Sequence, residues 1–241
     1  MEAEGIVPLN NRIFDPKMAN HSIDIYYYHM SPPSRATLLL IRALGLKHNI
    51  KIVDIPNKGQ MTSEFLKINP LHTIPVINDG EFIVYDSHVI MKYLVNQYAK
   101  DDSLYPKDPK KEAVVDQRLY FEASYLFPRF IAYFMPTLFG GQPPNEEAHK
   151  KLEEAFQHMD NFLKNQNWFA GTNMTIADFS LFSPFSTVVA CDVFDFTNYQ
   201  NLWQWYQRAK SAMSGFGYDE IEQEGANAFG GYYKRKIKDL S

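Results

Sequence analysis

Three short clusters in the N-terminal part of the chain contain residues whose types and spacing could do chemistry: Ser31-Pro32-Pro33, His72-Thr73-Ile74-Pro75 and Asp86-Ser87-His88. At a helix start, the hydroxyl of Ser31 and unpaired backbone N–H groups could face an anion. A cis bond before Pro75 would expose the backbone of Ile74 for pairing with an extended peptide. Asp86 and Ser87, at another helix start, suit the ammonium and carboxylate of an amino acid. Taken singly, the clusters are equally well explained by two helix N-caps and a plain turn.

Other chemistries have little support. The seven histidines and the single cysteine, Cys191, show no metal-ligand spacing, so no metal site is predicted. The sequence also lacks Gly-rich phosphate loops and the Gly-x-Ser-x-Gly elbow of serine hydrolases. With 24 Lys and Arg against 28 Asp and Glu, the formal charge of −4 offers no general attraction to nucleic acids or anionic membranes.

Length and composition indicate a soluble, cytoplasmic protein. The 241 residues are 45% hydrophobic, which suffices for one large domain or two small ones. No apolar run reaches the ~18 residues of a membrane helix. One cysteine excludes an internal disulfide and favours a reducing compartment. Residues 1–21 lack the basic start and apolar run of a signal peptide, so we expect a polar, loosely ordered extension.

Between residues 22 and 99, β-rich and amphipathic segments alternate. Strands are predicted at 23–28, 50–55, 74–77 and 82–85, and helices at 33–44, from 62 onward, and from 87 to 98 with Ser87 as the N-cap. The Asp79-Gly80 step favours a tight hairpin between the last two strands. The order βαβαββα is typical of an α/β unit with crossover helices in its first half.

A second domain follows. Residues 100–109 are polar, contain two prolines and show no periodicity, so they are predicted to be a linker. Residues 110–241 show only helical patterns, and Pro128 should bend or divide the first of these helices. Residues 175–178 have the spacing of a helix capping box. The basic residues at 234–238 are expected to form a solvated tail.

Taken together, these features resemble the cytosolic glutathione transferases, and within them the insect epsilon class or the neighbouring delta class. Four segments carry the resemblance, and they are 31–36 (Ser-Pro-Pro-Ser-Arg-Ala), 69–76 (Asn-Pro-Leu-His-Thr-Ile-Pro-Val), 86–90 (Asp-Ser-His-Val-Ile) and 101–109. The resemblance covers nearly everything after Ser22. It implies a thioredoxin-like βαβαββα domain followed by an all-helical C-terminal domain, and it implies a homodimer. It also implies conjugation of glutathione, as co-substrate, to small hydrophobic electrophiles without a metal.

The resemblance assigns roles to the three clusters. Ser31 would be the catalytic hydroxyl that donates a hydrogen bond to the glutathione sulfur and favours its thiolate. Asp86 and Ser87 would hold the γ-glutamyl group, the backbone of Ile74 would pair with the cysteinyl unit, and His72 would reach the glycyl carboxylate. The implied glutathione-binding residues are Ser31, Gln60, His72, Thr73, Ile74, Pro75, Asp86, Ser87 and His88.

Two positions depart from the epsilon pattern. Gln60 stands where epsilon members usually have a histidine, and its uncharged amide should bind the glycyl end more weakly. The implied acceptor pocket contains Met30, Pro33, Phe127, Phe130, Ile131 and Phe134, with Tyr133, Met135 and Phe139 as further candidates. Ile131 lies in a stretch where close relatives carry an arginine, so the pocket should be drier and the sulfur less activated. About half of these side chains are expected to be ordinary core.

Three alternatives remain to be compared with the transferase. A carrier that sequesters apolar ligands with little turnover is disfavoured by Ser31 but left open by Gln60 and Ile131. A thiol–disulfide oxidoreductase would need a cysteine at position 31, and Cys191 lies in the other domain. A structural or interaction module of the same fold would not need an intact glutathione-binding cluster. The sequence does not identify the electrophile.

Overall fold

A four-stranded mixed sheet with helices on both faces forms the first domain. The computed structural model describes residues 22–240, so the predicted extension at 1–21 lies outside the described residues. The elements are β1 (Ile23–Tyr27), α1 (Pro32–Ala43), β2 (His48–Ile52), α2 (Ser63–Ile68), β3 (Val76–Asp79), β4 (Phe82–Tyr85) and α3 (Ser87–Tyr98). The strand order is β2-β1-β3-β4, in which β2 is parallel to β1 and the other two pairs are antiparallel. This topology confirms the predicted thioredoxin-like βαβαββα unit.

Alternation of side chains in the central strands explains why helices cover both faces. Ile25 of β1 and Ile77 of β3 are fully buried in the large core that includes α1 and α3. Val76, next to Ile77 on β3, points to the opposite face and packs with Phe65 of α2. Because β3 is antiparallel to β1, the sheet places the end of β1, the start of β3 and the start of α3 along one side of the domain.

The second domain is all helical in its described part, as predicted. Its elements are α4 (Pro109–Phe121), a π-helical segment (Glu122–Leu126), α5 (Phe127–Gly140), α6 (Glu146–Phe162), α7 (Ile176–Cys191), α8 (Gln200–Met213), a second π-helical segment (Tyr218–Gln223) and α9 (Glu224–Leu240). Nearly every residue of α7 is buried, because α1 of the first domain packs on one side and α9 on another. The capping box predicted at 175–178 is present, and the Asp178 carboxylate accepts a hydrogen bond from the Thr175 N–H at 2.8 Å.

The helix that contains Pro128 is divided, as predicted. Since the ring of Pro128 removes one backbone donor and displaces the preceding turn, the first π-helical segment lies immediately before it, between α4 and α5. The wider π turn directs Glu122 inward, where its side chain is buried.

Four predictions about local structure were wrong. The N-cap of α3 is Asp86 and not Ser87, because the Asp86 carboxylate accepts hydrogen bonds from the N–H groups of His88 and Val89. β2 lies earlier than predicted, and β3 begins only at Val76, after the cis peptide that precedes it. The basic residues at 234–238 are not a tail but the last turns of α9, which Tyr233 anchors in the core.

Candidate active site

Ser31 lies at the N-terminus of α1, the helix of the first domain that packs against α7 of the second. It is the N-cap, and its Oγ accepts a hydrogen bond from the Ser34 N–H at a long 3.4 Å. Pro32 and Pro33 occupy the first two helical positions and have no N–H groups. The expected row of free N–H donors is therefore missing at these two positions, and the half-buried Ser31 hydroxyl keeps its own proton to donate.

Arg35 holds the loop that leads into Ser31, a role that the sequence analysis missed. Its guanidinium is completely buried and donates from Nη1 to the His29 carbonyl at 2.9 Å. Its Nε lies 3.1 Å from Oε1 of Glu222, which is equally buried in the second π-helical segment. A buried guanidinium needs such partners for its charge, so this pair ties the loop before Ser31 to the second domain.

The loop before β3 is organised by Asn69, another residue without a predicted role. Its buried amide nitrogen donates to the Thr73 carbonyl at 2.9 Å, and its amide oxygen accepts from the Leu71 N–H at 3.0 Å. The Ile74–Pro75 peptide bond is cis, as the sequence analysis anticipated. With the loop held at both ends, the backbone of the half-buried Ile74 lies just before the start of β3, beside the end of β1.

His72 and Gln60 both precede β3 in the chain, His72 after α2 and Gln60 before it. His72 is exposed and has a left-handed backbone with φ of 48°. Gln60 belongs to a short 3-10 turn, Gly59–Met61, and is half-buried. Its amide oxygen is shielded from solvent and accepts no hydrogen bond from the described residues. The amide of Gln60 therefore retains hydrogen-bonding capacity for a further group.

Asp86 has the most unusual backbone of the three clusters, with φ of 71° and ψ of 117°. Its carboxylate Oδ1 accepts hydrogen bonds from the N–H groups of His88 and Val89, at 3.0 and 3.2 Å. A hydrogen bond from the His88 side chain is the main reason that the pKa of Asp86 is lowered. A carboxylate that stays ionised and exposed beside a helix N-terminus can bind an ammonium group.

His88 connects Asp86 to the second domain. Its Nδ1 lies 3.2 Å from Asp86 Oδ1, and its Nε2 lies 2.6 Å from Oε2 of the buried Glu122. Burial acts to lower the pKa of His88, but the hydrogen bonds with Asp86 and Glu122 outweigh it and raise the pKa to about 9. The imidazole therefore holds its proton at neutral pH between the exposed Asp86 carboxylate and Glu122, and burial raises the pKa of Glu122.

The aromatic residues predicted for an acceptor pocket differ in burial. Phe130 and Phe134 are buried and pack against Phe229 of α9, with ring centroids 5.6 and 5.4 Å away. Phe127 is half-buried and stacks on Phe130, whereas Ile131 is 38% exposed. The remaining members are half-buried, Met30 in the turn between β1 and α1 and Pro33 at the start of α1. Their assignment to one pocket stays a prediction.

Two further properties concern the whole described range. Within residues 22–240, none of the helices has the length and apolar content needed to cross a membrane. Over the same range, no three His, Cys, Asp or Glu side chains lie together in a way that could hold a metal ion.

Comparison with known proteins identifies the fold and the two domains. The family model described as "Glutathione S-transferase, N-terminal domain" matches residues 30–97, and the one described as "Glutathione S-transferase, C-terminal domain" matches residues 120–211. Glutathione S-transferase D7 of Anopheles gambiae is 36% identical, over 89% of this chain and 98% of that protein. The chain belongs to the glutathione S-transferase family. This membership makes it an enzyme and accounts for the thioredoxin-like and all-helical domains.

Solved structures of glutathione transferases support the same conclusion. A delta-class enzyme of Nilaparvata lugens is 42% identical with a TM-score of 0.84, covering 89% of this chain and 99% of that one. An epsilon-class enzyme of the housefly, Musca domestica, is 38% identical with a TM-score of 0.83, covering 89% and 98%. A homolog from Drosophila mojavensis, solved with bound glutathione, is 39% identical with a TM-score of 0.84, covering 90% and 98%. The relatives are insect delta- and epsilon-class transferases.

Proposed function

We propose that this glutathione S-transferase uses the Ser31 hydroxyl to favour the thiolate of glutathione and transfers the thiolate to hydrophobic electrophiles. The proposal rests on the hydrogen bonding of the Ser31 hydroxyl. Its Oγ accepts only a long hydrogen bond from Ser34, at 3.4 Å, and its own proton is free for the sulfur. Because Pro32 and Pro33 remove two competing N–H donors, the hydroxyl is the principal donor of this helix start.

The remaining clusters suit the rest of the tripeptide. The ionised Asp86 and the buried Ser87 at the start of α3 would bind the γ-glutamyl ammonium and carboxylate. The backbone of Ile74, beside the cis Pro75, would pair with the cysteinyl unit. At the glycyl end lie Gln60 and His72, with Thr73 and His88 completing the predicted set. Glutathione bound in the homolog from Drosophila mojavensis supports this use of the fold.

The reaction does not require a side chain of the protein to take up the thiol proton. A hydrogen bond aimed at the sulfur, together with the positive end of α1, favours the anion, and lowering a thiol pKa by about two corresponds to roughly 2.7 kcal/mol. The thiol proton leaves to solvent, and the sulfur lone pair forms a bond to an electrophilic carbon. In a substitution, the bond from that carbon to its leaving group breaks, and the leaving group departs with the electron pair.

The acceptor is proposed to be apolar. Phe127 is half-buried and stacks on Phe130 of α5, and Met30 lies in the turn after β1, directly before Ser31. Apolar and aromatic walls favour hydrophobic electrophiles by removing their surface from water. With Ile131 in place of a charged residue, we expect an uncharged acceptor to bind better than an anionic one.

Three finer assignments complete the proposal. We assign the chain to the insect epsilon class, or the neighbouring delta class, on its segments 31–36, 69–76, 86–90 and 101–109. We place it in the cytoplasm because its one cysteine is unpaired and buried. We also propose a homodimer through α3, α4 and the adjoining strand β4. Phe82, Val89 and Tyr120 on these elements are 54%, 52% and 70% exposed, which is typical of a surface that a partner covers. Sedimentation at micromolar concentration should give twice the chain mass.

The decisive experiment compares Ser31→Ala with wild type in conjugation of glutathione to chlorodinitrobenzene. Losing one hydrogen bond to a developing or stable anion should lower kcat/KM by about a hundredfold or more. The pKa read from the pH dependence of kcat/KM should rise towards that of free glutathione. Because Ser31 is also an N-cap, the variant should lose about 1 kcal/mol of stability.

The matched control is Asn145→Ala, which removes the N-cap of α6, where Asn145 accepts from the Ala148 N–H at 2.8 Å. This variant should lose similar stability and keep its activity. If Ser31→Ala kept the wild-type rate and thiol pKa, the proposed mechanism would be wrong. If wild type bound glutathione but conjugated nothing, a carrier function would replace the transferase, and Gln60 and Ile131 would be the positions to restore.

A further inference from the structure

A cavity of about 450 Å³ lies in the second domain, where the end of α7 meets the start of α8. Its lining includes three aromatic side chains, Phe194, Phe196 and Trp203, and two carboxylates, Asp192 and Asp195. All charged residues of its described lining are acidic. None of them belongs to the glutathione-binding set or the predicted acceptor pocket. A cavity of this volume can hold a drug-sized molecule.

The aromatic wall is held from behind by the core. Phe196 packs against Phe156 and Phe185, both fully buried, with centroid distances of 5.4 and 4.9 Å. Its ring plane lies within 14° of that of Trp203, at a centroid distance of 6.4 Å. Trp203 is 39% exposed although it is a large apolar side chain. Fixed, nearly parallel rings that are partly open to solvent offer stacking and cation–π surfaces.

The rim of the cavity is negative. Asp195 accepts a hydrogen bond from the Thr197 N–H at 2.9 Å, and this bond lowers the pKa of Asp195 and keeps it ionised. Asp192 has one cation near it, since Lys234 Nζ lies 3.7 Å away, but both side chains are more than half exposed. Such an exposed pair is worth little and does not cancel the rim charge. Burial and neighbouring carboxylates, Asp195 among them, raise the pKa of Tyr199 to about 12.

We propose that this cavity binds organic cations that carry an aromatic body, such as aryl quaternary ammonium compounds, at a site separate from the glutathione site. The aromatic body would lie against Phe194 and Phe196. The ammonium would lie over Trp203 and beside Asp195, where cation–π attraction and the carboxylate act together. A neutral molecule of the same shape would gain only the apolar contact.

The test is a calorimetric titration of the wild-type protein with (2-naphthylmethyl)trimethylammonium, compared with uncharged 2-naphthalenemethanol. The cation should bind at least about tenfold more tightly than the alcohol, and added salt should weaken it. Asp195→Asn, which keeps an acceptor for Thr197, and Trp203→Ala should each weaken the cation about tenfold or more. Asp219→Asn removes the same charge near the opposite end of α8, and it should bind as wild type does.

The titration is repeated with saturating S-hexylglutathione to separate this site from the active site. Unchanged affinity for the cation supports the proposal. Displacement of the cation, equal affinity for cation and alcohol, or unchanged affinity in Asp195→Asn would each overturn it. Asp195→Asn keeps the test decisive if Trp203→Ala fails to fold. Because binding is measured directly, the result does not depend on the proposed role of Ser31.

Discussion

Replacing Glu122 with glutamine tests whether a charged hydrogen-bond chain joins the two domains at the glutathione site. Glu122 and Asp86 lie 2.6 and 3.2 Å from the two ring nitrogens of His88. Against the penalty of burial, their hydrogen bonds raise the pKa of His88 from 6.5 to about 9. A change of that size favours the charged imidazolium by about 3 kcal/mol.

The sign of the effect on stability follows from this direction. Because the pKa of His88 is higher in the folded than in the unfolded state, the stabilisation is fully present below pH 6.5 and is lost as pH rises through about 9. In Glu122→Gln, Asp86 remains but the second carboxylate is gone, so the pKa of His88 should fall. We expect the variant to lose about 2 kcal/mol near pH 6 and clearly less above pH 9, giving a flatter curve of stability against pH.

The measurement is equilibrium urea unfolding of both proteins across this pH range, with the KM for glutathione as a second readout. Since His88 donates to Asp86, the variant should raise KM several-fold while kcat changes less. The control is Lys92→Gln, which breaks the 3.0 Å pair between Lys92 of α3 and Asp116 of α4. That pair is about one-third exposed, so its loss should cost at most about 1 kcal/mol of stability. The pH dependence of stability should be the same as in wild type. If the free energies of unfolding of wild type and Glu122→Gln gave parallel curves against pH, the reasoning would be wrong.

Four other changes have defined outcomes. Glu222→Gln leaves the buried Arg35 without its counter-charge, so the free energy of urea unfolding should fall by about 3 kcal/mol or more. A fall of less than about 1 kcal/mol would contradict this expectation. Gly230→Ala would push a Cβ into the backbone of α7 and should destabilise the protein by roughly 1–3 kcal/mol in thermal unfolding. By contrast, the new Cβ in Gly231→Ala meets only open space and a side chain, so this variant should be more stable by up to about 1 kcal/mol. Gln60→His should lower the KM for glutathione several-fold at about pH 6, where the imidazole is charged, and an unchanged KM would remove this residue from the glycyl site.

Periodicity and turn chemistry were sufficient for the fold class. Alternating apolar residues such as Ile23 and Ile25 predict β1, and both are buried on one face of it. The proline at position 128 predicts a break that the structure has, and the 175–178 capping box is present. These features could be predicted because each depends on residues within one or two turns of each other.

Contacts between distant segments could not be predicted. His88 and Glu122 are 34 positions apart, and Arg35 and Glu222 are 187 apart, so no local pattern links them. The N-cap of α3 was misassigned because Asp86 and Ser87 are both good caps, and only the hydrogen bonds that the Asp86 carboxylate accepts from the N–H groups of His88 and Val89 distinguish them. By contrast, the absence of N–H donors at Pro32 and Pro33 can be predicted from the sequence, and it leaves the Ser31 hydroxyl as the donor for an anion at this helix start.

The two π-helical segments share one arrangement that explains why the second domain is needed at the glutathione site. Each contains a buried glutamate, Glu122 in one and Glu222 in the other. Each glutamate reaches a cation of the first domain, His88 at the start of α3 or Arg35 in α1. An extra residue in a helical turn shifts side chains around the helix axis, and such turns are frequent at functional sites. The helix irregularities thus hold the starts of α1 and α3, and with them Ser31 and the site for the γ-glutamyl group.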